Sequence, residues 1–216
     1  MLSPISWKAR GLLEFILDRI TDCYVILAST GAKAGADIMR TGDDAATQRG
    51  LLFSPGHWRK LIKPRWKRVF DAARERKPDI EIWHHSDGDI KEIIPDLIEI
   101  GVTILNPVQP ECMDVAAMKR LYRKHLVFDG TIGTQSTMPF ASVDEVETVV
   151  RDRKREIGYD GALILGPTHT LEPQVPIEDV FWSKSLDKCF TWRKTFFALA
   201  MDSLLEIIFF NSTFLA

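Results

Sequence analysis

Cysteine is scarce: Cys23, Cys112 and Cys189 are the only three in 216 residues. They lie far apart and outside any CxxC spacing, so they read as reduced thiols of a cytoplasmic protein rather than a disulfide framework. Long apolar runs are also missing. Met1–Arg10 is mixed polar, and the stretch from Gly11 to Ser29 is broken by Glu14, Asp18, Arg19, Thr21 and Asp22, which argues against a signal peptide. The apolar tail from Thr195 to Ala216 carries Asp202, Glu206 and Asn211, too polar for a membrane span. Nor is one sign of charge in excess. With 28 Lys and Arg against 30 Asp and Glu, the net charge of −2 favours neither a nucleic acid nor an anionic membrane as partner. What remains, 45% hydrophobic and 27% charged residues, suits a single domain with one sizeable core.

Two periodicities alternate along the chain. Leu12–Thr30 has apolar residues at helical spacing and is expected to end near Gly31. Short apolar runs bounded by glycine or polar residues predict strands near residues 37–41, 81–85, 102–106, 126–129 and 162–165. Between them, Ser54-Pro55 caps a helix running to about Arg76, which Pro64 should kink or split because proline cannot donate the interior hydrogen bond. Further helices are expected over Ile90–Ile100, near Asp114–Lys124 and over Val143–Ile157. About five strand-then-helix units with short connections predict an α/β fold with a parallel sheet.

Chemically capable residues collect where these strands end. The first runs into Asp43-Asp44, the second into His85-Ser86-Asp87-Gly88 and the third into Asn106-Pro107. The fourth ends in Asp129-Gly130, and the fifth runs into Gly166-Pro167-Thr168-His169. In a parallel barrel these ends share one face, where active sites sit. Individually, Asp, Asn and Gly are also ordinary loop residues.

The runs GADIMRTGDD, LLFSPGHWRKLIKPRWKRV, IWHHSDGDIKEIIPDLIEIGVTILNPVQ and GALILGPTHTLEPQVPIEDV resemble the uroporphyrinogen decarboxylase superfamily, closer to its cobamide-dependent methyltransferase branch. The resemblance implies a (β/α) TIM-type barrel, of which about five of eight β/α units are visible. On that reading residues 1–180 form a C-terminal piece of the barrel and residues 181–216 an atypical tail. Unpaired sheet edges would then favour self-association.

In the methyltransferase branch, zinc is held by a histidine and a cysteine two apart in an HxCG motif, and by a cysteine in a later glycine-rich loop. Here the first motif reads His85-Ser86-Asp87-Gly88, and the later loop carries His169. Residues i and i+2 of a strand share a side, so His85 and Asp87 point together and His84 points oppositely. Two imidazoles and a carboxylate are competent ligands for zinc or iron(II) and leave positions open. The alternative is that the histidines are polar barrel residues hydrogen-bonded to substrate or to each other. Two histidines and one carboxylate leave zinc near a formal charge of +1, a harder Lewis acid than a histidine–dithiolate site. That leans toward methyl donation from an O- or N-methyl compound to a corrinoid protein. A small-molecule substrate and a corrinoid methyl carrier are therefore the implied partners.

Asp43, Asp44, Asn106 and Asp129 are the candidate catalytic residues. Gln135 and Ser136, in the loop Gly133–Thr137, are candidates for cofactor contact through amide and hydroxyl. A decarboxylase acting on uroporphyrinogen is the alternative function. His169 matches a histidine of those enzymes, whereas Asp129-Gly130-Thr131-Ile132-Gly133 departs from their GNLDP pattern, and the acidic strand-end loops would repel a polyanion. A catalytically inactive barrel fragment is the third reading. Trp58, Trp66 and Phe70 are expected to pack on one helix face, the basic run Arg59–Arg68 to be solvated, and His57 and His125 to lie at the surface.

Overall fold

The structure, a computed structural model, describes residues 7–176 and 208–210, with side chains described from residue 11 to residue 176. A long helix, α1 (Trp7–Lys33), precedes the first strand, β1 (Ile38–Gly42). The helix continues through Gly31, where its end was expected. An interior glycine costs only about 1 kcal/mol, and the turn into β1 is made instead by Gly35, whose φ of 92° is left-handed. A hairpin of two-residue strands follows, β2 (Ala46–Thr47) and β3 (Gly50–Leu51), too short for alternation to reveal. Next come α2 (Pro55–Leu61) and α3 (Lys63–Arg74), separated at Ile62 as Pro64 predicts. Ser54 Oγ accepts from the His57 N–H, closing the cap of α2.

The remaining elements alternate: β4 (Glu81–His85), α4 (Ile94–Ile100), β5 (Ile104–Asn106), α5 (Val115–Tyr122), β6 (Val127–Asp129), α6 (Thr137–Phe140), α7 (Val143–Glu156), β7 (Leu163–Ile164) and β8 (Ile208–Phe210). Helix α4 begins at Ile94 rather than Ile90, because Pro95 suits the first turn of a helix and not its interior. It ends as expected at Gly101, which is left-handed with φ of 106°. Helix α7 opens with a reciprocal capping box between Ser142 and Glu145.

The sheet has the order β7-β6-β5-β4-β1-β8. All five expected strands pair in parallel with their neighbours in sequence, giving the predicted α/β architecture. The parallel strands do not close into a barrel among the described residues. Both edges of the five-stranded sheet were expected to be open, but β8 lies antiparallel along β1, pairing Phe210 with Ile38 and Ile208 with Arg40. The rest of the expected tail, residues 181–207 and 211–216, lies outside the described residues. No described helix is long and apolar enough to cross a membrane.

Alternation along the strands builds two unlike faces. Thr41, His84, Leu105, Phe128 and Leu163 are neighbours in register, and all are buried in the main core. Fully burying a residue such as Leu105 or Phe128 stabilises by roughly 1.5–3 kcal/mol. Tyr24 of α1 stacks on Trp66 at 5.7 Å, and Trp66 on Phe70 at 5.5 Å, which ties α1 to α3. Trp58, Trp66 and Phe70 are thus packing residues. His57 and His125 are exposed. The basic run is less solvated than expected. Lys63 reaches Asp96 and Glu99, each at 2.7 Å, and Arg65 reaches Asp18 at 2.7 Å, so these two cations bind neighbouring helices. On the opposite sheet face, Arg40, Trp83, His85, Val127, Asp129 and Ile164 stay half-exposed. That face and its C-terminal edge carry the polar residues singled out by sequence.

Candidate metal centre

His85 is the last residue of β4, level with Gly42 on β1 and Asn106 on β5. A Cβ at position 42 would fall 2.9 Å from the His85 Cβ, so glycine is what lets the imidazole lie over that end of the sheet. Trp83, two residues earlier and on the same face, stacks on the His85 ring at 6.0 Å with planes 14° apart. His85 Nδ1 lies 2.7 Å from Asn106 Oδ1, which turns Nε2 toward the loops.

The loop after β4 brings Asp87 to that nitrogen. Gly88, with φ of 87°, makes the turn, and its N–H donates to Gln109 Oε1 at 3.2 Å. The hairpin braces the same turn: Asp89 N–H donates to the Thr47 carbonyl at 2.9 Å, and Asp87 N–H to Asp44 Oδ1 at 3.1 Å. Asp87 Oδ1 then lies 3.8 Å from His85 Nε2, and Asp87 Oδ2 lies 3.8 Å from His169 Nε2. One ligand atom from each of His85, Asp87 and His169 falls within 4.8 Å of the others. A tetrahedral centre with bonds of about 2.0–2.2 Å sets its donors roughly 3.3–3.6 Å apart. The donor set fits a divalent ion: two imidazoles, one half-buried carboxylate and a half-open approach.

Charge is concentrated here. Burial pushes the Asp87 carboxyl above its ordinary range, the His85 and His169 charges pull it down, and Asp44 pushes it further up. Asp44 Oδ1 is itself 3.7 Å from His85 Nε2, so Asp44 belongs to the cluster. Asp43 does not. The adjacent residue points to the helix side, where Oδ2 accepts from Trp66 Nε1 at 2.8 Å and Oδ1 lies 3.4 Å from His84 Nε2. His84 also contacts Thr41 Oγ1 at 3.0 Å, on the face opposite His85.

Asn106 and Asp129 lie behind His85 rather than at the mouth. Asp129 Oδ2 accepts from Trp83 Nε1 at 2.6 Å, and the carboxylate also accepts from the Asn106 side chain. Burial pushes the Asp129 carboxyl up to about 6, against the Trp83 bond, the Arg40 charge and the Asn106 bond, which lower it. The Arg40 guanidinium sits 4.4 Å over the Trp83 ring.

A cleft of about 480 Å³ opens beside the cluster, lined by Asp87, Gln109, Gln135, Thr168, His169 and Glu172 among others. Gln135 faces it and meets Gln48, whereas Ser136 turns aside and donates to Glu111 Oε1 at 2.5 Å. Sequence reasoning missed Trp83 and Gln109. Trp83 was findable, being i−2 from His85 on the same strand face. Gln109 sits in an irregular loop and offers no periodic signal.

The chain is 23% identical over 176 residues to the Methylcobamide:CoM methyltransferase MtaA of Methanosarcina barkeri, covering 81% of this chain and 48% of that protein. A solved methyltransferase from Methanosarcina mazei superposes with a TM-score of 0.66 at 22% identity, covering 85% of this chain and 51% of the other. The chain thus spans about half the length of both relatives, and the second likeness establishes the shared fold. The family model for Uroporphyrinogen decarboxylase (URO-D) matches residues 4–183. With most of its length matched, the chain belongs to the uroporphyrinogen decarboxylase family.

Proposed function

We propose that this chain carries the metal-binding part of a methyltransferase that passes a methyl group between a small molecule and a corrinoid. The observation that carries the reading is the convergence of His85, Asp87 and His169 at the strand ends of a chain similar to a methylcobamide-dependent enzyme. These three residues would hold zinc, and Asp44 stands close enough to adjust the charge around it. Zinc held by two neutral imidazoles and one carboxylate keeps a formal charge near +1 and supplies a hard Lewis acid suited to an ether oxygen or an amine nitrogen.

The protein's own residues would do the rest. His85 is oriented by Asn106 and backed by the Trp83 ring. Gln109, Gln135 and Thr168 line the cleft with amides and hydroxyls, while Asp87 and Glu172 make it unfavourable for a polyanion. A neutral or cationic methoxylated or methylamine compound suits that lining. The test is methyl transfer from such donors to cob(I)alamin by the purified chain. Formation of methylcobalamin that stops with a chelator and returns with zinc is the expected result. Decarboxylation of a porphyrinogen that survives chelation would replace this reading with the decarboxylase one.

A further inference from the structure

The hydrogen-bond polarity of the residues behind His85 fixes more than its position. Asp129 accepts from the indole N–H of Trp83 at 2.6 Å and from the side chain of Asn106, with the Arg40 charge nearby, while the Gly130 N–H donates to the Ile164 carbonyl at 3.3 Å. An ionised carboxylate can only accept, so the Asn106 atom bonded to it must be the Nδ2 amide. That leaves Asn106 Oδ1 toward His85, 2.7 Å from Nδ1. A carbonyl oxygen cannot donate. His85 must therefore carry its proton on Nδ1 and keep its lone pair on Nε2, the nitrogen 3.8 Å from Asp87 and 3.7 Å from Asp44.

We propose that Asp129 is a positioning residue that sets the tautomer of His85 through the Asn106 amide, presenting the Nε2 lone pair to a metal ion. The relay follows from sheet register. His85 and Asn106 are paired neighbours on β4 and β5, and Asp129 is one residue beyond the Leu105–Phe128 pair on β6, in the next row position. Three adjacent parallel strands thus carry the string carboxylate, amide, imidazole across one row. Partners on the second nitrogen of a ligating histidine commonly change metal affinity by about 10–100-fold. The metal role rests on the function proposed above; the tautomer does not.

The test is the ¹⁵N spectrum of the His85 imidazole in the metal-free protein at mildly alkaline pH, together with zinc affinity. Wild type is expected to show a protonated Nδ1 and an unprotonated Nε2. In Asp129→Asn the Asn106 amide is free to turn over, so the two tautomers should mix and zinc affinity should fall about tenfold. The double variant Asn106→Asp/Asp129→Asn restores the order of donors and acceptors, with a carboxylate accepting from His85 and an amide behind it. It should recover the Nδ1–H tautomer and most of the affinity, which a merely structural role for Asp129 does not predict. A wild-type His85 protonated on Nε2 overturns the proposal, as does an Asp129→Asn protein that keeps the Nδ1–H form. Nδ1–H in wild type with no zinc binding would support the tautomer assignment and remove the metal reading.

Discussion

His169 Nε2 lies 3.8 Å from Asp87 Oδ2, joining the loop after β7 to the loop after β4. Only the parallel sheet, with all five strand ends at one edge, brings these distant segments together. Because the His169 side chain is 46% exposed, its loss should leave the fold intact. His169→Ala is expected to change unfolding free energy by no more than about 0.5 kcal/mol, while weakening zinc binding at least about tenfold. Denaturant melts and zinc titrations on the same preparations check both halves. A large stability loss would mean that His169 serves the fold instead.

Gly88 predicts the opposite pairing of effects. A Cβ there would lie 2.5 Å from the Thr47 carbonyl oxygen, and the φ of 87° is unfavourable to any L side chain. Gly88→Ala should cost about 1–3 kcal/mol and displace Asp87, so stability and zinc affinity should fall together. Preserved affinity in the variant would show that the hairpin β2–β3 does not position Asp87.

Asp129 gives a pH dependence with a definite sign. Its folded value, about 6, lies above the ordinary 3.8, so the folded state binds the proton more tightly. The stability it contributes is present below about 3.8 and is lost as pH rises through about 6. A shift of about two units corresponds to at most about 3 kcal/mol, reduced because the edge of the residue meets solvent. Comparing Asp129→Asn with wild type should therefore show relative stability moving toward the variant, by about 1–3 kcal/mol, between pH 4 and pH 7. A flat difference would mean that Asp129 titrates normally.

Much of the architecture was legible because period and punctuation agree. The short run Glu81–His85 matches β4 residue for residue, its alternation appearing only in the burial, and Pro64 marks the break between α2 and α3. The grouping of His85, Asp87 and His169 was legible from strand-end position together with the family resemblance, which is what linked the His169 loop to the His85 loop. Less legible were features set by tertiary contact. Asp43 and Asp44 are chemically identical neighbours, yet one packs against Trp66 and the other reaches His85. Similarly, Gln135 and Ser136 share a polar loop, but Glu111 captures the serine hydroxyl. Strand β8 pairs with β1 from the apolar run Ile207–Phe210, which periodicity alone does not tell from a stretch of helix.

Asp87 is the one anionic member of the proposed ligand set and the residue both histidines approach. Replacing it with cysteine would pair a histidine with a thiolate two positions on. Asp87→Cys is expected to retain zinc and to shift preference toward softer metals, measured as competition between zinc and cadmium. Indifference to metal softness would show that the side chain at position 87 does not touch the ion.

The central claim is that His85, Asp87 and His169 hold a metal ion, and zinc content after dialysis tests it most directly. Wild-type protein and the Asp87→Ala variant should be loaded with zinc, dialysed together and assayed for bound metal, with circular dichroism confirming that both are folded. The account predicts close to one zinc per wild-type chain and a large loss in the variant. Folded wild-type protein with no more zinc than the variant would contradict it.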